Sequence, residues 1–270
     1  MNNKFSLSIF VYVFSFLFAC SLSYAGDDPK AREIMIKVDA RDDGDNQISE
    51  MKMILIDKNG KQRIRKIRTM NKDKGEDKQR IMFFLEPADV KNTGFLTYDY
   101  DDADKDDDQW LYLPALRKSK RISSSDKSGS FMGSDFTYSD MTSRELEDYD
   151  FTLKKEMQVN GKDVWVIEAL PRNRDVIKET GYTKSLLFVR QDNYVVIRAI
   201  NWVKKGKKLK YFDMKGIAFI DDVWTPTEIH MTTKKGKKTL HKTIMTFENT
   251  KFNQGLNENI FSVRRLEKGL

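Results

Sequence analysis

The chain of 270 residues has one cysteine and two histidines, and these scarcities exclude a good deal. Cys20 lies inside an N-terminal apolar run, so the exported chain is expected to have no thiol, no disulfide and no cysteine-based metal site. His230 and His241 fall in one predicted hairpin, where a two-residue loop at Lys235 and Gly236 would set them opposite each other. Two imidazoles without a third ligand make neither a closed nor a catalytic zinc site, so ordinary cross-strand packing is expected there. Absent too are a nucleophile elbow, a glycine-rich phosphate loop and an H-E-x-x-H pair. No catalytic residue is assigned on this reading, the chain is not expected to be an enzyme, and no cofactor or metal is implied. Beyond the N-terminal run, no stretch approaches the roughly 20 apolar residues that a membrane-spanning helix requires.

What is present begins with an export signal. Lys4 supplies a positive start, Phe5 to Ala19 is nearly unbroken apolar sequence, and Ser23-Tyr24-Ala25 places small residues before a cut ahead of Gly26. Residues 1–25 are therefore read as a signal peptide cleaved after Ala25, which leaves residues 26–270 as an exported single domain. Leu17-Phe18-Ala19-Cys20 offers an alternative, lipidation at Cys20, with the bulky Phe18 off pattern. The formal charge of +7 falls by one when Lys4 leaves. In an exported protein a modest positive balance points to anionic lipid or acidic partners, or simply to solubility, before nucleic acid.

The remaining chain alternates mostly with period two. Asp27 to Ala40 opens on Asp-Asp-Pro and predicts an N-terminal helix presenting Ile34, Ile36 and Val38. Asp39 to Glu50 has part of a calcium-loop spacing, but Arg41 stands where an oxygen ligand belongs, so a turn into a strand is expected. From Gln47 a strand runs to a hairpin turn at Asp57-Lys58-Asn59-Gly60, and a return strand holds Ile64 and Ile67. Ile81 to Leu85 is apolar on both faces, which requires cover on both sides or a cavity on one. Strands at Phe95–Tyr100 and Gln109–Leu113 flank the acidic stretch Asp101 to Asp108, read as a solvated loop tip. Phe131 to Tyr149 predicts a glycine-hinged segment with a helix over Asp140 to Asp148. It is a candidate lid over the sheet, with Phe131, Met132, Phe136 and Met141 as its candidate residues, or else a helix packed permanently on the sheet. After Asp150 seven β-rich runs form a meander, closed by a short element at Asn257 to Leu266.

Two turns repeat the same letters. Lys204, Lys205, Lys207 and Lys208 surround Gly206; Lys234, Lys235, Lys237 and Lys238 surround Gly236. Two strand spacings would separate them by about 10 Å at one end of the sheet. A basic rim of this kind suits docking to an anionic surface, and equally serves as two solvated hairpin tips.

Four linked motifs then stand out: Glu86-Pro87-Ala88-Asp89-Val90-Lys91-Asn92-Thr93-Gly94, Gln109-Trp110-Leu111-Tyr112-Leu113-Pro114, the basic strand Arg117 to Ile122, and Phe131-Met132-Gly133-Ser134-Asp135-Phe136-Thr137-Tyr138-Ser139-Asp140-Met141. Their order resembles the LolA-like outer-membrane lipoprotein-sorting family. The chain departs from it in carrying Asn92 where many relatives have glycine, and in the length of its acidic loop. The resemblance implies a mainly β (α+β) fold, an unclosed, strongly curved antiparallel half-barrel with helices over its concave face. It also implies a carrier of lipoprotein or lipid acyl chains in the periplasm, loaded or unloaded by an RND-type inner-membrane transporter or an outer-membrane acceptor. A monomer without nucleic acid is expected. Met53, Leu55, Phe83, Leu85, Leu96, Trp110, Tyr112, Phe188 and Trp202, large or flexible residues on alternating strands, are the candidate cavity wall. The alternative is a non-enzymatic periplasmic adaptor that binds a transporter or another envelope protein with the same curved sheet.

Overall fold

The computed structural model describes residues 26–270; the signal peptide, its cut after Ala25 and Cys20 lie outside the described residues. The chain opens with helix α1, Pro29–Asp39. Asp28 caps it, its carboxylate accepting from the Lys30 amide at 2.9 Å, and Pro29 sits in the first turn where no intrahelical donor is needed. Helical rather than alternate spacing decides its buried face: Ala31, Ile34 and Met35 go in, and Ile36 stays 49% exposed.

Thirteen strands follow: β1 (Asn46–Asp57), β2 (Gln62–Lys74), β3 (Asp77–Glu86), β4 (Gly94–Asp99), β5 (Asp108–Leu113), β6 (Lys118–Arg121), β7 (Tyr149–Val159), β8 (Lys162–Pro171), β9 (Tyr182–Arg190), β10 (Val196–Val203), β11 (Leu209–Ile220), β12 (Val223–Lys235) and β13 (Lys238–Phe252). All pair antiparallel in one sheet of order β6-β5-β4-β3-β2-β1-β13-β12-β11-β10-β9-β8-β7. Two meanders thus run outward from a central seam where Met53 faces Met245 across β1 and β13. The sheet does not close, and its open edges are β6 and β7. β6 is four residues long and carries Lys118, Lys120 and Arg121, a short charged edge of the kind that resists further strand addition.

This topology dictates what covers the concave face. β6 and β7 are successive in the chain but lie at opposite edges, so residues 122–148 must traverse the open side between them. They do so as irregular chain with short 3-10 turns, two of which replace the helix expected over Asp140 to Asp148: Ser139–Met141 and Leu146–Asp148, with Tyr149 already the first residue of β7. Side chains outcompete the helix here. The Asp140 carboxylate accepts from the Thr137 amide at 2.7 Å, and the Asp99 carboxylate accepts from both the amide and the hydroxyl of Ser143 at 2.9 Å.

Both faces of β3 are covered. Met82 and Phe84 join the concave core, whereas Ile81 and Phe83 pack on the convex side with Leu256, Phe261 and Leu266. Leu266 belongs to the C-terminal helix α3 (Val263–Lys268), which comes down on Gly94: a β-carbon there would sit 2.6 Å from Leu266 Cδ1. One helix had not been foreseen, α2 (Arg174–Thr180), although Asn173 caps its start and Gly181, at φ 78°, closes its end.

A plug and a hollow on one concave face

The traversing segment fills half of the concave face. Phe131 is fully buried, its ring 5.0 Å from that of Phe95 and 5.6 Å from that of Tyr138, above a floor that includes Met53, Leu55, Phe84 and Leu111. Polar side chains rising from the sheet hold its backbone. Arg65 donates to the Met132 carbonyl at 2.6 Å, Arg80 to that of Met141 at 3.0 Å and Gln109 to that of Tyr138 at 2.9 Å. Asp135, 4% exposed, is tied to the far meander: its amide donates to Thr243 Oγ1 at 2.9 Å, and its carboxylate accepts from Thr233 and Thr243 and contacts His241 Nδ1 at 2.6 Å. All four candidate lid residues belong to this plug. Phe131, Phe136 and Met141 are buried, and Met132, at φ 49°, is half-buried beside them.

Beyond the plug the concave face is hollow. A cavity of about 440 Å³ lies over β9 to β12, with Leu187, Ala199, Phe212 and Met231 on its floor. α1 contributes Met35 and Val38, and the plug contributes Phe136. Its size falls within the range of small-ligand sites, about 300–1,000 Å³. Tyr182 is buried in the wall; its hydroxyl donates to the Asp140 carboxylate at 2.8 Å, and burial pushes its pKa well above the ordinary value.

None of the nine candidate wall residues lines this cavity. Met53 and Leu55 form the floor beneath the plug. Phe83 and Leu96 lie on the convex face under α3, with Trp110 and Tyr112 packed against them, and Leu85 borders the groove beside the chain's last residues. Phe188 packs with Val164 and Val166 in a separate cluster, and Trp202 lies beneath the Lys184 ammonium at 4.4 Å. Met53 and Leu55 lie on the concave face but under the plug; for the others the physical reason is parity. Where a strand is apolar on both faces, alternation says which residues share a face but not which face is concave. The cavity floor instead came from Leu187, Ala199 and Phe212, an alternation on β9 to β11 that was legible but less bulky.

The histidines do not meet. The hairpin loop is Gly236-Lys237, so Lys235 faces Lys238, and a further register shift between Thr233 and Lys234 sets His241 opposite Thr233 and His230 opposite Ile244. His230 contacts Glu228 instead, and burial lowers its pKa. The two lysine turns do emerge at the same end of the sheet, since Leu209 pairs with Lys234. Asn92 takes a left-handed conformation, φ 64°, with its amide donating to the Phe84 carbonyl, so asparagine serves where glycine would.

The opposite end is acidic. Asp101, Asp102, Asp104 and Asp106 are exposed, while Asp107 turns inward. Burial, reinforced by Asp99, raises the Asp107 carboxyl to about 6. Burial also raises Glu145, to about 8, with help from Asp107 and Asp99. Oxygens of these three carboxylates lie within 4.8 Å of one another. Lys127, 1% exposed, sits 4.0 Å from Asp107 and pairs with Glu179 on α2, a buried ion pair that pattern reading had missed.

Comparison with known proteins gives a consistent picture. Residues 75–268 match a family model described only as an uncharacterized protein. A DUF1329 family protein from Desulfovibrio piger superposes with a TM-score of 0.79 at 30% identity, covering 88% of this chain and 98% of that one. A chain from Vibrio parahaemolyticus, provisionally described as an outer membrane lipoprotein-sorting protein domain, gives 0.79 at 34% identity over 88% and 98%. A LolA superfamily protein from Nitrosomonas europaea shares the fold, with a TM-score of 0.65 at 20% identity over 87% and 98%. No curated protein matches the chain.

Proposed function

The chain belongs to the LolA-like outer-membrane lipoprotein-sorting family, and from that premise we propose that it is a periplasmic carrier of acyl chains. The observation that carries the reading is the hollow of about 440 Å³ between α1, the plug and the apolar floor of β9 to β12. Transfer energy supplies the mechanism. Each buried methylene stabilises the bound chain by about 0.8 kcal/mol, so a lipid or lipoprotein tail that cannot cross water unaided partitions into the hollow. We read residues 26–270 as one domain, since a single sheet supplies the whole floor and α1 and the plug close over it. The plug is a fixed partition: its carbonyls and Asp135 are held from both meanders, so cargo enters beside it, past the end of α1. Asp135 and His241 look like part of a catalytic triad, but two threonine hydroxyls engage the same carboxylate, and we assign the group to anchoring. The protein is read as a monomeric binding protein, not an enzyme.

The lysine turns give the carrier a docking end for an anionic membrane or an acidic partner, such as an RND-type transporter or an outer-membrane acceptor. The filled half of the concave face favours a second reading, an adaptor that binds such a transporter and carries no lipid. Native mass spectrometry with lipid extraction, on protein beginning at Gly26 and purified from a bacterial envelope, separates the two. About one lipid per chain, displaced by an acyl competitor, is the carrier's result; a clean apo mass with no uptake of acyl probes is the adaptor's.

A further inference from the structure

The hollow adjoins a second cavity whose lining is far more acidic. A vestibule of about 670 Å³ shares Asp39, Arg41, Asp43, Lys78 and Arg144 with the hollow, so the two adjoin along that wall. Among the described residues nine carboxylates line the vestibule against three bases. Two of the bases are already engaged. Lys78 pairs with Asp43 at 2.7 Å, and Arg41 donates to the backbone carbonyls of Asp42 and Trp224 at 3.0 and 3.1 Å. Arg144 lies over the Tyr149 ring at 4.5 Å with one N–H lacking a partner, and a single guanidinium cannot balance the acids around it.

Resting on the carrier reading, we infer that the cargo has a cationic head, a primary amine or a quaternary ammonium, seated in the acidic vestibule while its alkyl chain occupies the hollow. An anionic head at this mouth meets like charge in a partly desolvated cleft, where repulsion is screened less than on an open surface. A neutral head leaves the crowded carboxylates uncompensated. A cation relieves them, and the vestibule walls Asp43, Asp101 and Glu147 approach it from separate segments. The net positive charge of the whole chain misleads here, because its lysine turns lie at the far end of the sheet.

The test uses the whole mature protein and three probes sharing one tail: dodecyltrimethylammonium, dodecyl phosphate and dodecyl maltoside, each below its micellar concentration, titrated calorimetrically at low and high salt. The ammonium probe is expected to bind at least roughly tenfold tighter than the phosphate, with the gap shrinking in salt. Replacing exposed vestibule charges, D101N with D102N, is expected to narrow the gap while leaving maltoside binding and the melting temperature unchanged. Equal binding of the three probes, or a preference for phosphate, overturns the inference and leaves the carrier reading standing. Phosphate binding that appears only on adding calcium overturns it too, in favour of a bridging divalent ion. Failure of all three probes, maltoside included, overturns the carrier reading and this inference with it.

Discussion

The two halves of the concave face are built from the same kind of strand and end up different. Over β1 to β5 the floor of Met53, Leu55, Phe84 and Phe95 is sealed by Phe131 and its neighbours, and polar side chains from both meanders tie that plug down. Over β9 to β12 a comparable floor of Leu187, Ala199, Phe212 and Met231 faces empty space under the edge of α1. The difference lies in the connection and not in the strands. A chain that must travel from edge β6 to edge β7 buries its aromatic residues where it first lands, and beyond that landing it supplies turns rather than bulk. The hollow is the part of the half-barrel that the traverse leaves uncovered.

The sharpest way to break this comparison is to attack the ties. D135A strands two threonine hydroxyls and a histidine beneath the plug, and K127M leaves Glu179 and Asp107 without their buried partner. Each is expected to lower stability by roughly 3 kcal/mol in chemical denaturation. A loss under about 1 kcal/mol for D135A would show that the plug is not anchored as described.

Filling the hollow has the converse signature. A199W projects a large ring from the floor into free volume, so it is expected to weaken acyl-probe binding at least roughly tenfold, while costing less than the 1–3 kcal/mol typical of overpacking a filled core. The matching change on the plugged side, Met53→Trp, has no space to enter and is expected to reverse the pattern: a clear stability loss and little effect on binding. Equal behaviour of the two variants would erase the distinction between the halves.

A smaller effect concerns pH. The folded chain holds a proton on Glu145 up to about 8, and on Asp73 and Asp107 up to about 6, whereas the unfolded chain releases these protons at ordinary carboxylate values. In that window the folded state binds more protons, so stability falls as pH rises through it. The groups facing Glu145 include Asp107, Asp99, Asp148 and Asp39, all of which push in the same direction. Melting temperature is expected to decline from about pH 5 to about pH 8, and E145Q to flatten the upper part of that decline. Smallest of all is the rim. Neutralising Lys204, Lys205, Lys234 and Lys235 is expected to change stability by less than about 0.5 kcal/mol while reducing attachment to anionic vesicles in flotation.

Much of this architecture was legible in the sequence, and the gaps have physical causes. The four motifs indicated the family and the half-barrel, and the doubly apolar stretch Ile81 to Leu85 announced a sheet covered on both faces, as Phe84 under the plug and Phe83 under α3 show. What alternation could not supply was the handedness of each face, so Phe83, Leu96 and Trp110 were placed in a cavity from which they point away. Nor could it supply tertiary competition. Asp140 and Ser143 satisfy themselves against Tyr182 and Asp99, residues far off in the chain, and so undo a helix that local pattern favoured. A loop at Gly236-Lys237 instead of Lys235-Gly236, with a further register shift at Thr233, separated two histidines that hairpin counting had paired. Lys127 gave no signal because its partners lie on α2 and in the acidic loop. The hollow itself depends on where a long connection lands, which is a property of the whole sheet.

The central claim is that an acyl chain lies in the uncovered half. Photo-crosslinking with a diazirine placed along an alkyl probe, read out by peptide mass spectrometry, tests it most directly. The account predicts adducts on β9 to β12 and the inner face of α1, at residues such as Leu187, Ala199, Met231 and Met35, and their loss in A199W. Adducts concentrated on the convex face or beneath the plug, or none at all under saturating probe, would contradict it.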